Sequence, residues 1–234
     1  MPRPRRDDIV QQRIAEIKRA AYQQLVEKGT AGLSLRATAR SLGIAPNSIY
    51  NYFPNLNNLI TALIVDAFAS LAEAVEKAGN SSSCNNHLER FIKVLQHYRI
   101  WALSHAIEYQ LIYGNPIPGY EAPANITEPL TIRSFQGALR WLVEAWQAQE
   151  LHIPPSYENI PEPIHPHIRH FKKEVGFDVP EALYYMMFVA WSRIHGMIML
   201  ELFGHYDSAL GDTEAFFQHE IDIMVKQLGF TAPP

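Results

Sequence analysis

Ala39 and Gly43 stand four residues apart between two short amphipathic segments, and this spacing constrains the fold more than any other feature of the chain. The run reads SLRATARSLGIAPNSIYNYF, residues 34–53. Two helices meet at a sharp angle where a small side chain sits at their crossing, a glycine makes the turn, and apolar residues line the inner face of the second helix. Ala39 fills the first role, Gly43 the second, and Ile44 and Ile49 the third. Ser34 is expected to cap the first helix, which starts at Leu35. Pro46 suits the opening position of the second, where its missing N–H costs nothing, and Pro54 stops it. Ile49 and Phe53, four apart, are expected to pack inward. Pro46, Asn47, Ser48, Tyr50, Asn51 and Tyr52 are left on a polar face.

The rest of the chain is patterned as helix. Val10, Ile14, Ile17, Ala21 and Leu25 recur at spacings of three and four, one apolar face, and Gly29 ends that helix. Asn55 caps a long amphipathic stretch that runs to Gly79. The polar run GNSSSCNN, residues 79–86, links it to a helix predicted over 87–113. GNPIPGYEAP, residues 114–123, breaks the pattern. Helices follow over about 126–151, 167–175, 180–206 and 213–228, with a proline-rich loop over 152–166. No strand pattern and no internal repeat emerges. The fold class is therefore all-α: a three-helix helix-turn-helix head over residues 1–54 and a larger helical domain over residues 55–234.

Apolar residues make up 47% of the 234, enough for a substantial core. Cys84 is the single cysteine, which forbids an intrachain disulfide and suits a reducing cytoplasm. The N-terminus carries arginines but no apolar core of a secretory signal, and no uninterrupted apolar run reaches membrane-spanning length. The net charge of −4 conceals an asymmetry. Residues 1–53 hold nine Lys or Arg against four Asp or Glu, and the remainder holds eleven against twenty. A basic N-terminal fifth on an acidic body is the distribution expected of a DNA-binding head.

Residues 34–63 resemble the tetracycline-repressor-like (TetR) family of one-component transcriptional regulators. Ala39, Gly43, Ile44, Ala45, Tyr50, Tyr52 and Phe53 carry the resemblance. It implies that APNSIYNYF is a recognition helix lying in the major groove of a double-stranded DNA operator. Asn47, Ser48 and Asn51 then contact base edges or phosphates, and Tyr50 and Tyr52 offer hydroxyls to phosphate. Arg36 and Arg40 are further phosphate contacts, and Arg3, Arg5 and Arg6 form an arm for the minor groove. The chain departs from the family in two places: Leu56 stands where a phosphate-binding Lys is usual, and Ala45 where Ser or Thr is.

In the body, His97, Trp101, His105, Tyr109 and Tyr113 recur every four residues and are expected to form one ring-bearing ridge lining an effector chamber. Trp141, Tyr184, Met187, Trp191 and His195 join them as candidate ligand contacts. WSRIHG, residues 191–196, is similar to a Trp-His-Gly element of one subgroup of these regulators. The effector is expected to be largely apolar or aromatic. Ile198, Leu202 and Phe203, with Phe216, Phe217, Ile221, Met224, Val225 and Leu228, are expected to build a homodimer interface of two helices per subunit. The three histidines of HPHIRH lie between prolines with no cysteine nearby, so no metal or cofactor is expected. The sequence thus reads as a ligand-responsive homodimeric repressor. The alternatives are a DNA-binding or protein-recruiting module without small-molecule input and, with no GxxxxGK, GxGxxG, HExxH or GxSxG run, an enzyme.

Overall fold

The computed structural model describes residues 6–231. Among these it has ten α-helices, three 3₁₀ turns and a single isolated bridge between Leu151 and Phe230. The helices are α1 (Arg6–Lys28), α2 (Leu35–Ser41), α3 (Leu56–Gly79), α4 (His87–Ser104), α5 (Ala106–Tyr113), α6 (Ala124–Gln147), α7 (Pro155–Glu158), α8 (His165–Val175), α9 (Glu181–Leu202) and α10 (Thr213–Gln227). The chain divides into two compact units. One holds residues up to Phe68 together with Ile107–Thr127; the other holds Ala69–Ala106 and everything from Glu128 on. The chain passes between them within α3, at the junction of α4 with α5, and in the first turns of α6.

In the first unit α1 packs on α2, and Ile17, Ala21 and Leu25 of α1 and Leu35 and Ala39 of α2 are all buried. Ala39 is fully buried, so α2 crosses its neighbours closely. Gly43 takes φ 65° and closes α2: its N–H donates to the Arg40 carbonyl at 3.1 Å, and that of Ile44 to the Ala39 carbonyl at 3.0 Å. This is the glycine-terminated helix stop that the sequence signals. Gln24, buried on α1, donates to Thr38 Oγ1 at 2.8 Å and accepts from the Ser34 N–H at 3.3 Å. Ser34 occupies the N-cap position of α2, but its hydroxyl makes no capping bond. Asn55 does cap α3, accepting from the Asn58 N–H at 2.9 Å.

Two expectations need correction here. The segment after the turn is not an α-helix: Pro46–Asn51 is wound as 3₁₀. Ala45 supplies no side-chain oxygen for its first amides and Pro54 blocks any continuation, so few residues remain for α winding. The helix predicted over 87–113 also breaks. Ser104 Oγ bonds the Ile100 and Trp101 carbonyls at 2.7 and 3.1 Å, and His105 leaves helical geometry with φ −127° and ψ 47°. Side chains that bond carbonyls one turn back compete with the helix ladder.

The second unit is organised around α4, α6, α9 and α10. The linker at 79–86 is strapped in place: Arg90 donates to the carbonyls of Gly79, Ser81 and Cys84, and Asn86 caps α4 by accepting from the Glu89 N–H at 2.8 Å. A Cβ at Gly137 would lie 2.8 Å from Val75 Cγ1, so the glycine sets the approach of α6 to the second half of α3. Arg133 of α6 forks Glu76 of α3 with two bonds of 2.8 Å. The stretch predicted as loop, 152–166, instead carries α7 and a 3₁₀ turn, and α8 begins at His165. Pro166 is at its first turn, where proline is tolerated. By length and composition α3 would pass for a membrane span, but 56% of its apolar window is buried inside the protein, and it is a core helix.

Candidate nucleic-acid interface and effector site

The 3₁₀ segment presents its polar groups because its apolar ones are anchored. Ile49 is completely buried and Phe53 nearly so; fully burying each stabilises the head by roughly 1.5–3 kcal/mol. The Tyr52 and Phe53 N–H groups both donate to the Ile49 carbonyl at 3.0 Å, which closes the segment. Pro46, Asn47, Tyr50 and Asn51 are exposed, and Ser48 and Tyr52 are half-buried. At three residues per turn, Asn47 lines up with Tyr50 and Ser48 with Asn51. Tyr50 is 41% exposed and shares a shallow cleft of about 380 Å³ with Arg36, Ser34 and Asn55. Arg40 is exposed one turn beyond Arg36 on α2. Arg6 is exposed at the start of α1, and Arg3 and Arg5 lie outside the described residues.

The head is locked from behind. Lys18 of α1 pairs with Asp66 of α3 at 2.5 Å, and Tyr22 donates to the Leu63 carbonyl at 3.1 Å. Burial, with the nearby Glu108 and Asp66 carboxylates, pushes the Tyr22 hydroxyl well above its ordinary range, so it stays a donor at any physiological pH.

The ring-bearing ridge does not run as one. Tyr109 and Tyr113 belong to the first unit, where their rings meet at 5.3 Å and Tyr113 packs edge-on against Phe68 at 5.8 Å. His97, Trp101 and His105 belong to the second. His97 turns back to the Lys93 carbonyl at 2.9 Å. Trp101 is buried, donates to Ser70 Oγ at 3.0 Å, and stacks on His105 at 4.9 Å with the planes 9° apart.

On α9 the same motif recurs, with Trp191 stacked on His195 at 5.0 Å. Trp191 Nε1 donates to Tyr98 OH at 3.2 Å. Tyr98 is one turn before Trp101, so α4 and α9 meet through Tyr98, with a Trp–His pair on each helix. Burial holds the His195 imidazole below its ordinary value, leaving it neutral near neutral pH. Trp191 also leans on Phe135, which contacts Phe171 and Phe188; Tyr184 packs against Phe171 and donates to the Phe177 carbonyl at 2.8 Å. Met187 is buried on the same helix. Trp141 stands apart, its indole in cation–π contact with the guanidinium groups of Arg90 and Arg140, at 5.1 and 4.9 Å, and against Gly79.

Sequence reading missed Tyr98, Ser70, Phe135, Phe171 and Phe188. A strict spacing of four selected His97. The alternation of three and four that follows a real helix face gives Tyr98, Trp101 and His105.

The expected interface residues divide sharply. Ile198, Phe217, Ile221, Met224, Val225 and Leu228 are buried within the chain itself and are unavailable to a partner. They are the contact of α9 and α10 with α4 and with each other. Leu202 and Phe216 are half-buried, and Phe203 is exposed. The apolar surface left open on α9 is instead Val189, Leu200 and Phe203, with Gly196 between them facing open space.

This architecture has counterparts. Residues 17–63 match the family of bacterial regulatory proteins named for tetR, and residues 91–224, more than half of the chain, match the tetracyclin repressor-like C-terminal domain. The HTH-type transcriptional regulators Rv1816 of Mycobacterium tuberculosis and Mb1846 of Mycobacterium bovis are each 29% identical over 96% of this chain and 95% of their own. The crystal structure of SCO4313 superposes with a TM-score of 0.78 at 27% identity, covering 95% of this chain and all of that one. A Rhodococcus sp. RHA1 protein at 23% identity has the same fold, with a TM-score of 0.71 over 92% of this chain and 95% of its own. The chain belongs to the tetR family of bacterial regulatory proteins, and is a DNA-binding transcriptional regulator.

Proposed function

We propose that the protein is a homodimeric repressor that holds a near-palindromic operator in the cytoplasm and leaves it when a small, largely apolar or aromatic molecule binds. Residues 1–54 read the DNA, and residues 55–234 carry the effector and dimer surfaces. The observation that carries the reading is the outward polar face of residues 46–51 over the buried Ile49. Asn47 and Asn51 address base edges, where Asn pairs with adenine through one donor and one acceptor. Tyr50, Tyr52, Arg36 and Arg40 take phosphates, which fix position without reading sequence. Arg3, Arg5 and Arg6 reach the adjacent minor groove.

The effector site is best supported around the Tyr98–Trp191 contact of α4 with α9, with Trp101 one turn from Tyr98 and His195 stacked on Trp191, a mostly apolar setting with a few hydrogen-bonding groups. The Trp-His-Gly element then serves two sides of α9, its Trp and His toward effector and Gly196 toward a partner. A ligand acts only through its differential affinity for the DNA-competent and DNA-incompetent states.

Selection of sheared genomic DNA on the purified protein near physiological salt tests this. Enrichment of a few near-palindromic sites supports a specific repressor; uniform, salt-sensitive retention refutes it. A second reading, a DNA-binding module without small-molecule input, draws on the mutual packing of Phe135, Phe171, Phe188 and Trp191. A screen of aromatic compounds against Trp fluorescence and operator release separates the two.

A further inference from the structure

Residues 107–127 follow the effector-bearing helix α4 in sequence, yet they pack with the DNA-reading head. Their attachments converge on the first half of α3. Tyr120 OH and Thr61 Oγ1 are 3.0 Å apart, and Thr61 is among the few buried polar residues of the protein. Tyr113 packs on Phe68 and on the fully buried Tyr109. Glu108 lies close enough to Tyr22 to act on its hydroxyl, and Tyr22 holds the Leu63 carbonyl of the same helix.

The segment is stiff in its middle and weak at its ends. Pro116, Pro118 and Pro123 restrict its loop, and Gly119 takes φ 76° to turn it. It begins at the helix break of Ser104 and His105, and it ends where Pro129 removes a backbone donor from α6. A segment that starts at a helix break and ends beside an in-helix proline moves more readily than the helices flanking it.

We propose that residues 107–127 are a strap that holds the recognition segment in its DNA-binding position, and that the Tyr120–Thr61 hydrogen bond is its positioning contact. The strap rests on the DNA-binding reading and goes beyond it, because it names an element remote from the DNA face. Tyr120 touches no base and no phosphate; it acts through Thr61 and α3, and α3 begins three residues after the buried Phe53 that anchors the 3₁₀ segment. Release of the strap loosens residues 46–53 without touching their own contacts.

The test uses the full chain and the variants Tyr120→Phe, Thr61→Val and both together. Two readouts are taken: amide hydrogen exchange over residues 46–63, and affinity for the DNA fragment that the wild type selects. The strap requires faster exchange at residues 46–53 in either single variant. It also requires operator affinity about three- to tenfold weaker in each single variant, with the double variant no worse than either, since both remove one bond. Unchanged exchange at 46–53, or affinity losses that simply multiply in the double variant, overturns it. If the wild type selects no DNA, the DNA-binding reading has failed, and the exchange readout still decides the strap.

Discussion

In the proposed DNA interface, Tyr50 has a packing role and a phosphate-binding role that substitution separates. Its ring rests over the cleft shared with Arg36 and Asn55, and its hydroxyl is free to meet a phosphate. Tyr50→Phe should therefore weaken binding to all DNA sequences by a similar factor, and the salt dependence should stay near that of the wild type because no cation is lost. Arg36→Gln should weaken binding equally broadly while reducing the slope of log affinity against log salt by about one. Asn47→Ala should behave differently, costing about 1–3 kcal/mol on the preferred site and relaxing selection at one base position. Titration of each variant against matched and mismatched fragments at several salt concentrations checks all three. If Asn47→Ala weakened every sequence alike, Asn47 would be a phosphate contact. The same scale governs Gly79, where an added Cβ would stand 2.1 Å from Trp141 Nε1. Gly79→Ala should destabilise the protein by about 1–3 kcal/mol through overpacking, read as a lower denaturation midpoint with an unchanged denaturant slope.

Among the elements, α4 does the most connecting. Arg99, almost wholly buried, forks Glu201 of α9 with bonds of 2.8 and 2.7 Å, reaches Glu214 of α10, and lies over Phe217 at 5.1 Å. Removing one partner of a buried pair strands the other charge, so Arg99→Met should cost about 3–5 kcal/mol. Burial alone would raise the Glu201 carboxyl, but the hydrogen bonds from Arg99 and Thr213 win and hold it below the ordinary glutamate value. A depressed folded-state value means that the unfolded chain binds the proton first. Stability from this group is thus present above the ordinary glutamate range and lost as pH falls through the depressed value. Chemical denaturation at a series of pH values should show an acid limb that Glu201→Gln flattens.

None of this junction was legible beforehand. Arg99, Glu201 and Glu214 are scattered over more than a hundred positions, and sequence periodicity sees only neighbours. What was legible is what local chemistry decides: Gly29 and Gly43 as stops, Asn55 as a cap, Ile49 and Phe53 as anchors. The 3₁₀ winding of 46–51 and the break at Ser104 were not, because the apolar spacing on both sides fits an unbroken helix. The sequence placed the aromatic residues near one another in the body, but only tertiary contacts sort Tyr109 and Tyr113 to the head and Trp141 to the linker.

At the scale of the whole molecule, the proposed repressor depends on pairing, because a near-palindromic operator is read by two heads related by a two-fold axis. We propose as the pairing surface the stripe of Val189, Gly196, Leu200 and Phe203, spaced so that all four fall on one face of α9. Leu200 is 42% exposed and Phe203 51%, whereas the apolar residues on the opposite face of α9 are already spent on α4 and α10. A Cβ added at Gly196 would meet no atom of another element within 4 Å, so a second α9 could cross there with backbones close. Two heads carried by such a pair would meet successive major grooves, about 34 Å apart or a multiple of it. Leu200→Arg should then shift the protein to a monomer of 26.7 kDa in sedimentation equilibrium. It should lower affinity for the full palindrome by about 10²-fold or more, and leave affinity for an isolated half-site unchanged. Ile100→Arg, also exposed but on α4, supplies the control, since it adds the same charge to an apolar surface position off the stripe. A Leu200→Arg protein that remained dimeric, or that lost half-site and palindrome binding together, would place the pairing surface elsewhere.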